Sequence, residues 1–216
     1  DDAVQTAEEA HVNDAAPQQS PLTLEKITEK IHNCTRCGLA PTRTNTVPGM
    51  GVPHPDVLVI GEGPGEQEDK QGLPFVGPAG QLLDKMLAAI QLDRNVNCYI
   101  ANIVKCRPPY NRTPNPDEAN MCRPFLDAQI HLLKPGMILC AGRTAAQNLL
   151  HIDTPLSRIR GTFYDYNGIP VLATYHPSAL LREPANKRYA WEDLKLFKSK
   201  LLECRPDYAK GFTERG

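Results

Sequence analysis

Four of the seven cysteines have a spacing that could hold a metal centre. Cys34 and Cys37 form a C-x-x-C pair whose thiolates can both reach one centre, while Cys106 and Cys122 lie far from that pair in sequence. Four cysteines can hold a structural zinc ion, but one close pair with two separated cysteines fits a four-iron cluster at least as well. The spacing alone therefore leaves both centres open. The remaining cysteines are expected to be core or incidental residues, namely Cys98, Cys140 and Cys204.

A glycine-rich segment, GEGPGEQED, covers residues 61–69 and follows a short apolar run. Its glycines would let the backbone approach a ligand closely. A nucleotide site is not expected here, because the dinucleotide fingerprint needs glycine where Glu66 stands and a phosphate loop ends in Gly-Lys-Ser/Thr. The four acidic residues of the segment would also repel phosphate.

Two further segments carry side chains that could contact a ligand. Phe75 lies in GLPFVG, where the ring can either anchor the loop on the core or stack on a planar group. His176 lies in YHPS directly after an apolar run, where it can be structural or catalytic. Each signal is weak by itself.

The apolar pattern predicts the scaffold that positions these segments. Short apolar runs over 57–60, 99–104, 137–141 and 171–175 predict four buried strands. Helical spacing follows each run, and Thr23 predicts the N-cap of a first helix that reaches about Ile31. This alternation predicts an α/β fold with a mainly parallel four-stranded sheet covered by helices on both faces. In such sheets ligands bind outside the carboxyl ends of the strands, which is where the segments above begin.

Charge and composition exclude several classes of protein. The formal net charge is −1, but residues 1–20 hold five of the 25 acidic residues and none of the 24 basic ones. We predict that residues 1–22 form a disordered acidic tail, that 23–210 form one domain and that 211–216 form a short C-terminal tail. No apolar stretch is long enough to span a membrane and the start lacks a signal-peptide pattern, so we expect a soluble, cytoplasmic protein.

Several long motifs occur in one order over about residues 30–202, and together they resemble the family 4 uracil-DNA glycosylases. The matching stretches are GEGPGEQED, GLPFVGPAGQLLD, NIVKCRPPYNRTPNPDEANMCRPFL and HPSALLR. The resemblance implies a three-layer α/β/α sandwich and removal of uracil from DNA. It also implies a structural [4Fe-4S] cluster, whose ligands would be Cys34, Cys37, Cys106 and Cys122.

The resemblance implies roles for the residues of a uracil pocket. Phe75 would stack on the extruded base, and Asn102 would read its amide edge, since a side-chain amide offers both a donor and an acceptor. His176 would stabilise the negative charge that builds on uracil O2. Glu68 and Asn111 would shape the pocket wall that excludes the thymine methyl group. The sugar face, where water must be positioned, would be lined by Glu62 and Gly63.

DNA contacts are expected around the same pocket. Leu180 or Leu181 would act as a wedge that fills the space of the extruded nucleotide. The basic candidates for phosphate contacts are Arg182, Lys105, Arg107 and Arg112. No lysine is placed as a Schiff-base nucleophile, so we expect a monofunctional glycosylase that does not cut the DNA strand. We also expect the protein to be a monomer.

Two alternatives stay open. One is a relative that captures uracil-DNA covalently through a histidine in the loop before Cys122, although residues 107–121 contain no histidine. The other is a cluster-bearing module that binds nucleic acid without chemistry, in which the pocket residues only pack.

Overall fold

A six-stranded sheet forms the centre of the computed structural model, which describes residues 21–213. The strand order is β1-β3-β2-β4-β6-β5, and the four inner strands are parallel while both edge strands are antiparallel to their neighbours. The strands are β1 (Met50–Gly51), β2 (Val57–Gly61), β3 (Cys98–Asn102), β4 (Met137–Ala141), β5 (Phe163–Tyr166) and β6 (Ile169–Thr174).

Eight α-helices within the described residues connect and cover these strands. The helices are α1 (Leu24–His32), α2 (Glu66–Gln71), α3 (Pro78–Ala88), α4 (Pro116–Leu133), α5 (Arg143–Leu150), α6 (Leu156–Ile159), α7 (Pro177–Arg182) and α8 (Lys187–Cys204). Two 3-10 turns cover Pro109–Asn111 and Pro184–Asn186.

The two faces of the sheet carry separate apolar cores. On one face α1, α4 and α5 pack through residues such as Ile31, Leu126 and Leu149, and on the other α3 and α8 pack through Leu83 and Phe197. Every residue of β2, β3 and β4 is buried, as expected for strands covered by helices on both sides. The predicted three-layer α/β/α fold is therefore confirmed.

The predicted elements agree with the structure in their order, with local differences. The four predicted strands form the parallel centre, but the sheet also has the edge strands β1 and β5, which the pattern of apolar runs did not reveal. Helix α3 ends at Ala88, and Gln91 then turns the chain with a φ of 61°. The glycine-rich segment and the segment after His176 contain the short helices α2 and α7.

Residues 1–20 and 214–216, which hold most of the predicted acidic tail and the end of the predicted C-terminal tail, lie outside the described residues. Within residues 21–213 no helix is long and apolar enough to cross a membrane. Cys98 and Cys140 are fully buried in the sheet, which confirms their prediction as core residues.

Candidate active site

A cavity of about 570 Å³ opens at the carboxyl ends of the inner strands. The loop after β2, the end of β3, the turn before α4 and the start of α7 all contribute to its wall. Most of the site residues predicted from the sequence line this cavity, although they lie far apart along the chain. Those that line the cavity are Glu62, Gly63, Glu68, Phe75, Asn102, Asn111, Arg112, His176 and Arg182.

Asn102 is the last residue of β3 and lies at the floor of the cavity. Its side chain is 1% exposed, and its Oδ1 atom has no hydrogen-bond partner among the described residues. A buried acceptor without a partner is costly, so such an atom is usually matched by a donor from water or a ligand. Parallel pairing places Gly61 of β2 directly beside Asn102. A Cβ atom on Gly61 would lie 2.4 Å from this Oδ1, so only glycine leaves room for the amide.

Phe75 forms one side of the cavity and is held in an unusual backbone conformation. Its φ is 51°, in the left-handed region that a bulky residue rarely adopts. The guanidinium of Arg94 donates to the carbonyl oxygens of Pro74 at 2.7 Å and Phe75 at 3.0 Å, and it pairs with Asp84 at 2.7 Å. The contact with α3 is equally close, since a Cβ atom on Gly80 would lie 1.9 Å from the Phe75 carbonyl oxygen. These contacts fix the backbone of Phe75 beside the cavity.

His176 caps α7 and faces Phe75, with the two ring centroids 5.5 Å apart. Its Nδ1 atom accepts a hydrogen bond from the backbone N–H of Ser178 at 3.1 Å, which places the proton of the neutral ring on Nε2. Burial, together with the positive charge of Arg182 and against the opposing effect of Glu68, lowers the pKa of His176 to about 4. The imidazole is therefore neutral at physiological pH and keeps an Nε2–H donor.

Glu68 joins the two loops that meet above the cavity. Its Oε1 atom accepts from the backbone N–H groups of Val76 at 2.8 Å and Gly77 at 2.9 Å, and its Oε2 atom accepts from Gly65 at 3.1 Å. The carboxylate therefore shapes the wall mainly by holding backbone in place. A direct contact with a ligand stays a prediction.

The turn before α4 carries three of the predicted polar residues. Arg107 donates from Nε to Oδ1 of Asn111 at 2.7 Å, and Arg112 makes two contacts with Glu118, at 2.7 and 2.8 Å. Arg182 on α7 is exposed at the cavity mouth and forms no ion pair with a carboxylate of the described residues. Glu118 neutralises the charge of Arg112, and Asn111 ties Arg107 to the turn. Of the three arginines, only Arg182 has neither kind of partner in the described part of the chain.

Two predicted DNA contacts are wrong. Lys105 is 1% exposed, and its ammonium group donates inward to the carbonyl oxygen of Asn102 at 2.9 Å and to Oε1 of Gln129 at 2.7 Å. It cannot reach a phosphate. Leu180 is also 1% exposed, because it lies on the face of α7 that packs on the core, whereas Leu181 is 46% exposed. Of the two leucines, only Leu181 is placed to act as a wedge.

The four cysteines that were predicted as ligands line a second cavity, which is enclosed between α1 and α4. No three of the histidine, cysteine and acidic residues between 21 and 213 are close enough together to hold a single ion. A tetrahedral zinc would require sulfurs about 4 Å apart, given Zn–S bonds of ~2.3 Å. The four cysteines therefore lie around one cavity without forming a single-ion site among the described residues.

The surroundings of these cysteines also suit a negatively charged centre. The Sγ atom of Cys122 accepts from the backbone N–H of Lys105 at 3.3 Å, and that of Cys106 accepts from Arg43 at 3.3 Å. Burial is the main cause that raises the pKa of Cys106 to about 11, with Arg43 opposing the shift and Cys122 and Cys37 adding to it. Four cysteines around one cavity, with backbone and guanidinium donors to their sulfurs, have the donor chemistry that fits a bound metal group.

Several residues of the site were not predicted from the sequence. Ser178 fixes the tautomer of His176, Arg94 holds the Phe75 loop, and Gln129 supports Lys105 while donating to the carbonyl oxygen of Pro48 at 2.8 Å. Only Ser178 carried a usable signal, because a serine two residues after a helix-capping histidine is placed for a local hydrogen bond. The other two act across long sequence separations.

Comparison with known proteins agrees with this geometry. Residues 48–195 match the model of the uracil DNA glycosylase superfamily. A type-4 uracil-DNA glycosylase of Archaeoglobus fulgidus is 41% identical over 181 residues, which cover 80% of this chain and 90% of the relative. Similar proteins of the same name in Thermotoga maritima and Pyrobaculum aerophilum are 42% and 41% identical, and each match covers 82% of this chain and 93% of the relative. The chain therefore belongs to the type-4 uracil-DNA glycosylase family.

Proposed function

We propose that this protein hydrolyses the N-glycosidic bond of deoxyuridine in DNA, releasing uracil and leaving an abasic site for base excision repair. The observation that carries the proposal is the buried, unpartnered Oδ1 of Asn102, which faces a cavity flanked by Phe75 and a neutral His176. A core asparagine that only packs would have both ends of its amide satisfied. This disfavours the alternative of a module without chemistry.

Recognition of uracil follows from the amide of Asn102. Its oxygen accepts from uracil N3–H while its NH₂ group donates to O4. Cytosine presents a lone pair at N3 and an amino group at C4, so both contacts would become repulsive. Leaving two buried polar groups unmatched costs several kcal/mol, which is enough to exclude the normal base from the site.

Stacking and the shape of the wall complete the recognition. The ring of Phe75 offers one face to the extruded base, and stacking of this kind is worth roughly 1–3 kcal/mol. That gain offsets part of the few kcal/mol needed to extrude a nucleotide. We propose that Glu68, through the loops that it joins, and Asn111 form the wall that a thymine methyl group would strike.

Cleavage breaks the N1–C1′ bond, whose electron pair moves to the uracil ring and places negative charge on O2. The Nε2–H of His176 donates to that oxygen. Because the ring is already neutral and its tautomer is fixed by Ser178, it donates without a proton transfer. One preorganised donor of this type is typically worth about 3–4 kcal/mol in the transition state.

A water molecule must then add to C1′ from the opposite side of the sugar. The candidate residues are Glu62, whose side chain lines the cavity, and the backbone of Gly63 beside it. Backbone pairing continues past β2, since the carbonyl oxygen of Glu62 accepts from the N–H of Val104 at 3.2 Å, and this fixes the segment. The water oxygen bonds to C1′, one of its protons leaves through Glu62 or solvent, and the departing uracil anion takes up a proton from solvent.

We propose that a [4Fe-4S] cluster is held by Cys34, Cys37, Cys106 and Cys122. When bound it supplies a structural cross-link between α1, the turn before α4 and α4 itself, and no step of the reaction passes through it. This cross-link would anchor Cys106 and Cys122, which flank the turn that carries Asn111.

The proposed substrate is uracil-containing DNA, and Arg182 and the exposed Leu181 are the contacts proposed at the mouth of the cavity. We also propose that the protein acts as a monomer.

The function is tested with an end-labelled oligonucleotide that contains one uracil. We expect the DNA to break only after alkali or heat, and free uracil to appear in stoichiometric amounts, while matched thymine and cytosine oligonucleotides stay intact. Asn102→Ala and His176→Ala should each lower the single-turnover rate by at least about a hundredfold. An intact uracil oligonucleotide, or parental rates in both variants, would refute the proposal.

A further inference from the structure

Tyr110 is the most exposed large hydrophobic residue of the described chain, with 99% of its surface open to solvent. It lies on the 3-10 turn between the two separated cysteines, directly before Asn111 and Arg112, which line the active-site cavity. The ring therefore stands beside the mouth of that cavity without contributing to the wall. Nothing in the described protein covers it.

The turn that presents Tyr110 is rigid. Two prolines precede the tyrosine, and the backbone N–H groups of Asn111 and Arg112 donate back to the carbonyl oxygens of Pro108 at 3.1 Å and Pro109 at 3.2 Å. Side chains lock the turn on both sides, since Arg107 binds the Asn111 amide and Arg112 pairs with Glu118. A ring on such a turn loses little conformational freedom when it contacts a partner.

Fold stability does not explain a tyrosine at this position. Its φ is 56°, in the left-handed region where glycine and asparagine are favoured and an aromatic residue is uncommon. The ring buries almost no surface, so it gains nothing from the hydrophobic effect that would offset this conformation. The next residue, Asn111, has the same φ of 56°, so the chain keeps two left-handed residues in succession there.

The neighbourhood of Tyr110 indicates which partner covers it. The guanidinium groups of Arg107 and Arg112 flank the turn, and across the mouth α7 presents exposed Leu181 and Arg182. If a single nucleotide enters the cavity, the strand on either side of it must run over this rim. The group nearest the rim on such a strand is the base that adjoins the extruded nucleotide, and it has lost a stacking neighbour.

We propose that Tyr110 stacks on the nucleobase next to the extruded uracil in the same strand. The proposal rests on the proposed function, because it takes the extruded nucleotide as the occupant of the cavity. Tyr110 replaces the stacking surface that the neighbouring base loses, and it does so independently of the sequence because every base offers a planar face.

The test measures binding separately from cleavage. A fluorescein-labelled single strand with one 2′-fluoro-deoxyuridine serves as probe, because the fluorine disfavours the cationic sugar of the transition state and slows cleavage. We expect Tyr110→Ala to weaken binding roughly 5- to 100-fold, the range for loss of one stacked base, and Tyr110→Phe to bind like the parental protein. Tyr110→Asn, which suits the left-handed turn, should bind as weakly as the alanine variant.

A second readout locates the contact. With 2-aminopurine placed directly 5′ or 3′ of the uracil analogue, stacking on Tyr110 should quench its fluorescence at one of the two positions, and Tyr110→Ala should abolish that quenching. Leu202→Ala is the matched control, since Leu202 is 46% exposed at the end of α8, near the Arg205–Asp56 pair at the amino edge of the sheet. It should change neither readout.

The outcomes separate the two proposals. Binding by Tyr110→Ala within twofold of the parental protein, or equal losses in the alanine and phenylalanine variants, would overturn the stacking role. Failure of the parental protein to excise natural uracil would overturn the proposed function instead, whatever the binding series shows.

Discussion

The ammonium group of Lys105 donates a hydrogen bond to the backbone carbonyl oxygen of Asn102 at 2.9 Å, while the backbone N–H of the same lysine donates to Sγ of Cys122. One residue thus connects the floor of the active-site cavity to the cysteine cavity. Lys105 forms no ion pair with a carboxylate of residues 21–213, and burial lowers its pKa to about 8. The neighbouring Cys122 opposes this lowering of the Lys105 pKa.

Replacing this lysine tests the connection. Lys105→Met keeps the length of the side chain but removes the donor to Asn102, so we expect the single-turnover excision rate to fall by about tenfold or more, or ~1.4 kcal/mol. Inhibition by free uracil should weaken by a similar factor, because the backbone carbonyl that Lys105 holds belongs to Asn102, whose side-chain amide is proposed to bind the product. Lys200→Met, which removes an exposed lysine paired with Glu203, is the control. Parental uracil inhibition in Lys105→Met would contradict the assignment.

The depressed pKa of His176 predicts a pH dependence of stability. The imidazole has a pKa of about 4 in the folded protein and about 6.5 when unfolded, so between these values the unfolded chain binds more protons. The free energy of unfolding contributed by this group is greatest above pH 6.5 and falls by roughly 3 kcal/mol as the pH drops to 4.

Urea unfolding of the parental protein and of His176→Asn at pH 7 and pH 4 checks this value. The parental protein should lose about 3 kcal/mol more than the variant over that range. Equal losses would show that His176 titrates normally. In that case the imidazole would be partly charged near neutral pH, and the neutral-donor mechanism would fail.

Arg94 is expected to act by positioning Phe75. Arg94→Met removes both donors to the loop carbonyls, so the ring should leave its fixed orientation, raising KM and lowering kcat, with kcat/KM down by about tenfold or more. Arg94→Lys should recover part of the loss, since an ammonium can still reach one carbonyl oxygen. Asp84→Asn leaves the arginine in place and should change kcat/KM less than threefold. No difference between the methionine and lysine variants would argue against positioning.

Glu68 and Glu66 form a matched pair of substitutions on α2. Glu68→Gln weakens three bonds from backbone N–H groups and should destabilise the protein by about 1–3 kcal/mol while lowering excision. Glu66 is exposed and pairs with Lys70, so Glu66→Gln should leave the stability of the protein nearly unchanged. Thermal unfolding and excision rates measure both effects, and equal effects of the two substitutions would contradict the structural role of Glu68.

The nature of the metal centre is tested by analysis of anaerobically purified protein. We expect a brown protein with broad visible absorption and about four iron atoms per chain. Removing the iron with a chelator and a reductant should lower the free energy of unfolding, because the cross-link between α1 and α4 is lost. A colourless protein that contains one zinc per chain would refute the cluster.

Much of the fold could be predicted because buried parallel strands leave apolar runs in sequence. The run 137–141 gives β4 with its observed ends, and Asn115-Pro116 marks the start of α4. The edge strand β1 could not be predicted, since two residues paired with Tyr99 and Ile100 carry no periodic signal. Strand β5 pairs through a partly exposed FYDY segment, whose pattern is equally weak.

The site was predictable where a motif directly follows a strand and less so where packing decides. Asn102 and His176 lie at the predicted edge because the strands that precede them are parallel. Lys105 looks like a surface cation in sequence, and only the presence of Gln129 across the core explains its burial. Leu180 and Leu181 differ only in the face of α7 on which they lie, and a helix of six residues is too short to show that by periodicity.

The absence of side chains at Gly61 and Gly80 has a practical consequence for engineering. Both positions touch the machinery of base recognition through atoms that leave no space for a methyl group. A library that aims at another damaged base can therefore vary a wall residue such as Asn111, but should keep these two codons constant. A methyl group at either position would displace Phe75 and so disturb the cavity that a new base must enter.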